Sequence, residues 1–105
     1  VTKTHFSGIE YGAKSRNLCL EIDIPFLDDL LDKQQHKCAL SGKQIEICFS
    51  NGETTASLDR IDSAKGYTKD NVQWVHKTVN LMKMSLDENI FIEFCKLIYE
   101  NRGLK

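Results

Sequence analysis

The chain has 105 residues, 41% of them hydrophobic and 28% charged, with a formal net charge of −1. This length and composition favour one folded domain with a single core over a disordered chain. No apolar run reaches the roughly 20 residues that cross a bilayer, and no charged-then-apolar leader is present. We therefore expect a cytoplasmic protein of bacterial or phage type that makes no membrane contact.

Three elements are predicted in the N-terminal third of the chain. Ser7 is a suitable N-cap for a helix over residues 8–17. Apolar and polar residues alternate in LCLEIDI, which predicts a strand over residues 18–24. Pro25 suits the first turn of a helix, so the amphipathic sequence PFLDDLLDKQQ predicts a second helix over residues 25–35.

The middle of the chain predicts β structure followed by a helix. CALSGKQIEICFS (38–50) has the pattern of a hairpin that turns at Ser41–Gly42. ASLDRID (56–62) and NVQWV (71–75) predict two strands joined by a turn over residues 63–70. HKTVNLMKM (76–84) has helical spacing, and we expect Trp74 to be buried.

A last helix is predicted over residues 86–102, with Ser85 or Asp87 as its cap and Gly103 as its stop signal. Its many large apolar residues are expected to complete the core, and docking of a partner is the alternative. Together the elements predict one α+β domain over residues 1–105. Its core motif spans residues 56–84, between an N-terminal helix–strand–helix segment (8–35) and the C-terminal helix.

The four cysteines, Cys19, Cys38, Cys48 and Cys95, are too scattered to indicate a disulfide framework. We expect reduced thiols packed among apolar neighbours. A structural zinc site built from His36, Cys38, Cys48 and His76 would lack any C-x-x-C pair, so the sequence argues against structural zinc.

Charge is unevenly distributed along the chain. Residues 33–83 carry eight basic and five acidic side chains, whereas the segments on either side are net negative. A phosphate-binding surface can therefore be local on a chain that is nearly neutral overall. The alternative is that these lysines are ordinary solvated charges.

The core motif contains Asp59–Arg60, then Asn71, then Asn80 followed by Lys83. This ordered set resembles the ββα-metal (His-Me finger) motif of HNH endonucleases. The upstream sequences GAKSRNLCLEID (12–23) and HKCALSGKQI (36–45) resemble segments that precede the motif in that family. The resemblance implies a small α+β domain with a ββα-metal centre, and it implies a DNA endonuclease that hydrolyses phosphodiester bonds with one divalent cation.

The resemblance also implies roles for individual residues. Asp59 and Asn80 would hold the metal, with Mg²⁺ preferred and Mn²⁺ as an alternative, because both supply hard oxygen ligands. Asn71 would steady the loop between the strands. Arg60, Asn71 and His76 form the predicted catalytic set. The predicted DNA contacts are Lys65, Tyr67, Lys69, Lys77 and Lys83.

Arg60 stands where the family keeps a histidine that removes a proton from water, and a guanidinium cannot act as that base. Three interpretations follow. Another group, among His76, Asp62 and His36, or the metal alone, activates water. Arg60 instead grips the scissile phosphate through its donor fork. Alternatively, the fold persists as a catalytically inactive DNA-binding module. A small protein-interaction domain is a hypothesis of a different class.

Overall fold

The structure, a computed structural model that describes residues 1–49 and 51–104, is the small α+β domain that the sequence predicts. Its helices are α1 (Lys3–Ser15), α2 (Ile24–Lys33), α3 (Lys77–Lys83) and α4 (Glu88–Ile98). Its strands are β1 (Ala56–Arg60) and β2 (Val72–His76), and a π-helical turn, Tyr99–Gly103, continues α4. No helix in the described ranges is long and apolar enough to cross a membrane.

β1 and β2 form an antiparallel pair, and α3 begins directly after β2 and packs on both strands. The register places Ala56 opposite His76 and Asp59 opposite Gln73. Side chains opposite each other in an antiparallel pair lie on the same face of the sheet. Asp59 and Gln73 therefore share one face, which becomes important for the site described below.

The core is centred on Trp74, which is fully buried as predicted. Its indole Nε1 donates a hydrogen bond to the Leu27 carbonyl at 3.0 Å. The Gln34 side chain accepts from the Trp74 backbone N–H at 2.9 Å and donates to the Trp74 carbonyl at 2.9 Å. These bonds fix α2, with its buried Leu27 and Leu31, against β2.

Two N-terminal predictions are wrong. α1 begins at Lys3 rather than residue 8, because Thr2 supplies the cap by accepting a hydrogen bond from the His5 backbone N–H. The strand over residues 18–24 is absent. Apolar side chains in this segment are more buried than their neighbours, as the alternation predicts, but a single parallel bridge joins Leu20 to Tyr67. Asp23 caps α2, so α2 starts at Ile24.

The predicted hairpin over residues 38–50 is reduced to a turn. One antiparallel bridge joins Lys37 to Gln44, and Gly42 has the positive φ of +75° that this turn requires. The described part of this segment contains no strand: the Cys38 N–H bonds to the Lys43 carbonyl within the turn, but other backbone groups of the segment bond to other parts of the chain. For example, the Glu46 carbonyl accepts from the backbone N–H of Thr55. Ser50, at the end of the predicted hairpin, lies outside the described residues.

The four cysteines are free within the part of the chain that the structure describes. Cys38 is buried among apolar neighbours as predicted, whereas Cys19, Cys48 and Cys95 are exposed. The expectation that the C-terminal helix completes the core is also wrong. Within α4, all of whose residues are described, Phe91 is the one buried residue, and Phe94 is 57% exposed.

Candidate functional site: a basic cleft beside β1 and α3

A cleft of about 400 Å³ opens between β1, α3 and the end of α1. Its polar lining includes three cationic side chains, those of Arg16, Arg60 and Lys77, and the potential oxygen ligands of Asp59 and Asn80. Both residues that the sequence selects as metal ligands therefore lie around one cavity with three that it selects for phosphate or DNA contact, namely Arg60, Tyr67 and Lys77. The cleft is the candidate functional site.

Asp59 is buried at the base of this cleft, with 4% of its surface exposed. The Lys83 ammonium donates to Asp59 Oδ2 at 2.7 Å, and the Gln73 amide donates to the same oxygen at 3.0 Å. Both side-chain hydrogen bonds that Asp59 accepts from the described residues therefore end on Oδ2. Oδ1 remains as the carboxylate oxygen that can receive a ligand from the cleft.

Lys83 is 1% exposed and does not face solvent. Besides Asp59, its ammonium reaches the Arg60 carbonyl at 3.1 Å and lies 3.9 Å from Glu88 Oε1. The prediction that Lys83 contacts DNA is therefore wrong. It is wrong because a buried carboxylate needs a compensating charge, and Lys83, one helical turn after Asn80, is positioned to provide it.

The network extends to residues that the sequence analysis did not select. The Gln73 amide joins Asp59 Oδ2 to Glu88 Oε1, to which it donates at 2.7 Å. The strand register places Gln73 opposite Asp59, so the predicted β-hairpin contained a signal for it. Glu88 comes from α4 and carries no such local signal.

Asn80 projects from α3 toward β1, where its amide Nδ2 donates to Ser57 Oγ at 2.7 Å. Ser57 lines the same cleft. This bond uses the side-chain nitrogen and fixes the side chain, so the side-chain oxygen of Asn80, Oδ1, remains available to a ligand. Asn80 thus fits the predicted position of a neutral oxygen donor near Asp59.

Asn71 is 5% exposed and is not part of the cleft lining. Its side chain accepts from the Asp62 backbone N–H at 2.9 Å, and it donates to the Asp62 carbonyl at 3.0 Å and the Gly66 carbonyl at 2.9 Å. These three bonds hold the β1–β2 loop closed. In this geometry Asn71 is a positioning residue for the loop rather than a group that touches substrate.

Arg60 lines the cleft and also holds the β1–β2 loop. Its Nη1 donates to the Ser63 carbonyl at 2.5 Å and to the Lys65 carbonyl at 3.0 Å. The loop lies close to Cys19 at Gly66, where a Cβ atom would lie only 2.5 Å from Cys19 Sγ. This position therefore has no room for a larger residue. Since both bonds leave through Nη1, the remaining nitrogens of the guanidinium can still donate to a phosphate.

Tyr67, one of the predicted DNA contacts, is buried, with 6% of its surface exposed. Its ring stacks with Arg60, whose Cζ lies 5.5 Å from the ring centroid, and its hydroxyl accepts a hydrogen bond from Arg16 Nη2 at 2.7 Å. Tyr67 therefore positions two cations at the cleft. Arg16 was missed because it lies far along the chain, and only the tertiary fold brings it here.

The remaining predicted DNA contacts are distributed around this site. Lys77 lines the cleft, and its ammonium lies 3.5 Å from Glu53 Oε1. Lys65 and Lys69 are exposed on the β1–β2 loop but do not line the cleft. The Lys69 ammonium lies 5.7 Å from the centroid of the Phe26 ring, on the side of α2.

None of the three candidate bases lines the cleft. His76 caps α3, where its Nδ1 accepts from the Thr78 backbone N–H at 3.0 Å, and the strand register separates it from Asp59 by three residue pairs. His36 pairs with Asp32 and Glu46. Asp62 lines a separate depression between the loop and the start of α4. The proposed catalytic role of His76 is therefore wrong in this geometry.

The donor set fits a weak site for a hard cation. No cluster of three or more His, Cys, Asp or Glu side chains able to hold a metal occurs in residues 1–49 and 51–104. Asp59 and Asn80 nevertheless offer one anionic and one neutral oxygen, and Mg²⁺ takes few protein ligands and keeps several water molecules. The Lys83 charge beside Asp59 opposes a second cation, so we expect weak affinity.

Comparison with known proteins gives no family assignment, because no protein-family model, curated protein or solved structure matches the chain. The functional argument therefore depends on the residues of the cleft.

Proposed function

We propose that this protein is an HNH-type DNA endonuclease that hydrolyses phosphodiester bonds with the help of Mg²⁺ or Mn²⁺. The observation that carries the proposal is that Asp59 and Asn80 share one cleft with Arg16, Arg60 and Lys77. Oxygen ligands for a hard cation and donors for a phosphate are thus within the same cavity, a combination that suits phosphodiester hydrolysis.

The cations of the cleft are suited to a phosphodiester group. Arg16 and Arg60 are both fixed by Tyr67, through a hydrogen bond and a ring contact respectively. A planar guanidinium whose orientation is fixed can bind two phosphate oxygens with little further loss of side-chain entropy. Lys77, the first residue of α3, adds a third positive charge to the cleft.

The acidic and amide groups have a separate role. Asp59 Oδ1 and the side-chain oxygen Oδ1 of Asn80 would hold the cation, while Lys83 and Gln73 keep the Asp59 carboxylate oriented through Oδ2. When bound, the cation would neutralise charge on the scissile phosphate and the leaving oxygen. Asn71 would act indirectly: it holds the β1–β2 loop, to which Arg60 is also bonded.

Proton removal is the weakest part of this active site. The described residues that line the cleft include one carboxylate and no histidine. Without a dedicated base, attack depends on hydroxide from the solvent. We expect slow cleavage whose rate rises continuously with pH between about 6 and 9, rather than the plateau that a titrating histidine gives.

A second candidate function is binding of DNA without cleavage. It is favoured by the ion pair between Lys83 and Asp59, which already compensates the carboxylate that a metal would need. In this alternative the three cations still bind phosphate, and Lys83 has a purely structural role. The two functions differ in whether Asp59 and Asn80 ever hold a metal.

The test is cleavage of supercoiled plasmid in Mg²⁺, Mn²⁺ or EDTA. The most informative variant is Asn80→Ala, because Asn80 is not in the buried ion pair and its loss should leave the fold intact. Thr78→Ala is the matched control, since Thr78 lies on the same helix, is exposed and does not line the cleft. Asp59→Asn retains the shape of the side chain and removes its charge.

We expect metal-dependent nicking or linearisation by the wild type and by Thr78→Ala, with at least about tenfold less by Asn80→Ala and Asp59→Asn. Undiminished cleavage by both ligand variants would exclude the proposed site. DNA binding without cleavage in either metal would favour the binding module. Arg60→His should cleave more slowly, because it loses the loop bonds of Nη1; faster cleavage would show that this position accepts a base.

A further inference from the structure

Two large apolar side chains stand unprotected at the edge of the basic cleft. Leu81 and Met84 are each 76% exposed, and both line the cleft together with Arg16, Arg60 and Lys77. Leu81 lies on α3 between the inward-facing Asn80 and Lys83. Exposed apolar residues bordered by polar and charged side chains are a feature of contact surfaces.

The backbone at Met84 is strained. Its φ of +53° and ψ of −126° lie outside the regions that a residue with a side chain readily adopts. Two backbone hydrogen bonds hold the turn. The Met84 N–H donates to the backbone carbonyl of Asn80 at 3.0 Å, and the Leu86 N–H donates to the backbone carbonyl of Lys83 at 3.1 Å. A glycine would relieve the strain, so the methionine side chain at this position carries an energetic cost.

We infer that Leu81 and Met84 form an apolar wedge that inserts into duplex DNA and partly unstacks one base step beside the bound phosphate. The inference rests on the proposed function for its DNA substrate, but it does not require cleavage. Asn80 and Lys83 fix the inner face of α3 to the site, so the wedge is held at a constant distance from the phosphate contacts. Apolar side chains inserted between base pairs are an established means of kinking DNA.

The three cationic side chains of the cleft favour nucleic acid over protein as the occupant of this surface. A phosphate held by the three cations brings its sugar and base against the adjacent edge, where Leu81 and Met84 lie. The wedge also predicts a substrate preference. Base steps that unstack easily, such as TA and CA/TG steps and mismatches, should be bound more tightly than stiff A-tracts.

The experiment measures base unstacking directly. The full chain is titrated in EDTA into a short duplex that carries 2-aminopurine at a TA step, and both anisotropy and 2-aminopurine fluorescence are recorded. The variants are Leu81→Ala/Met84→Ala and Met84→Leu. The matched control is Met82→Ala, because Met82 is a 58% exposed apolar residue of the same helix that does not line the cleft.

At saturating wild-type protein we expect 2-aminopurine fluorescence to rise about twofold or more, as an unstacked base requires. Met82→Ala and Met84→Leu should retain the rise, and Leu81→Ala/Met84→Ala should lose most of it while still increasing the anisotropy. Binding without any rise in fluorescence, or an equal rise with the double variant, would overturn the wedge.

The outcomes separate the wedge from the nuclease. Unstacking by a protein that never cleaves plasmid supports the wedge and removes the enzyme, whereas cleavage without unstacking does the reverse. No binding of DNA at all overturns the wedge. Sedimentation of the DNA-free protein gives a last test: self-association that the double variant abolishes would show that Leu81 and Met84 contact a second copy instead.

Discussion

Lys83 and Phe94 belong to consecutive helices, yet their environments are the reverse of what their residue types favour. Lys83 is 1% exposed, whereas Phe94 is 57% exposed. Around Lys83, the β1–β2–α3 unit provides a carboxylate and a backbone carbonyl as hydrogen-bond partners. Around Phe94, the residues of α4 that follow Phe91 are all exposed.

The difference shows that complementary partners, rather than hydrophobicity alone, decided burial in this small domain. No buried side-chain nitrogen or oxygen in the described residues lacks a hydrogen-bond partner. α4 is fixed at its beginning, where Asp87 caps it, Glu88 accepts from Gln73 and Phe91 is buried. Beyond Phe91, its apolar residues have no partner surface within the described chain.

The largest effect should come from Lys83→Met. The substitution keeps the apolar stem and removes the charge, which leaves Asp59 buried without its counter-ion. We expect the free energy of unfolding to fall by about 3–5 kcal/mol. Urea denaturation followed by circular dichroism measures it, with Lys65→Met as the control, because Lys65 is exposed. A loss no larger than the control's would mean that the pair is not the centre of this unit.

Asn71→Ala should be next, at about 3 kcal/mol, because it removes one acceptor and two donors from buried backbone groups of the β1–β2 loop. The same change should speed amide exchange at Asp62, whose N–H loses its partner. Asn89→Ala, at an exposed position, is the comparison variant. Unchanged exchange at Asp62 would contradict the loop-holding role.

Phe91→Ala tests how firmly α4 is attached to the rest of the domain, because Phe91 is its buried residue. Loss of the one buried anchor of this helix should cost about 1.5–3 kcal/mol and should act locally. Hydrogen exchange should accelerate along α4 and remain slow in β1 and β2. Phe94→Ala, on the same helix and 57% exposed, should change neither. Equal effects of the two variants would show that α4 is buried in solution.

The smallest effect concerns pH. Hydrogen bonds to Glu46, and then to Asp32, raise the pKa of His36 above its ordinary value. Protonated His36 therefore stabilises the folded state fully below about pH 6.5, and this contribution is lost as pH rises through the raised folded-state pKa. Because His36 is 39% exposed, solvent screening keeps the contribution below about 1 kcal/mol. His36→Gln should flatten the stability profile in this range.

The local predictions succeeded where one segment contained all the necessary information. Pro25 and the apolar spacing after it predicted α2, and the two strands and α3 of residues 56–84 were predicted to within a few residues. The predicted strand over residues 18–24 has the expected alternation of burial but no neighbouring strand to complete a ladder. Periodicity indicates which side of an extended segment is buried, and it does not indicate whether a pairing partner exists.

The site divides in the same way. The spacing of Asp59, Asn71 and Asn80 was visible in the sequence. The β1–β2 pair and α3 bring Asp59 and Asn80 to one cleft, whereas Asn71 lies outside the cleft lining and holds the β1–β2 loop. The surrounding network was visible only in part. Gln73, which donates to Asp59, follows from the strand register, whereas Arg16, which donates to Tyr67, and Glu88, which accepts from Gln73, come from other parts of the chain. The sequence also assigned Lys83 to a DNA contact, since a lysine is rarely buried without a specific partner.

The sequence by itself determined the α+β class, the order of strands and helix at the centre and the position of Trp74 in the core. It did so because local periodicity and capping depend on neighbouring residues. The tertiary structure decided that Lys83 is buried against Asp59, that Arg16 joins the cleft and that α4 remains exposed. These outcomes depend on charge compensation and packing between segments far apart in the chain, which no local pattern records.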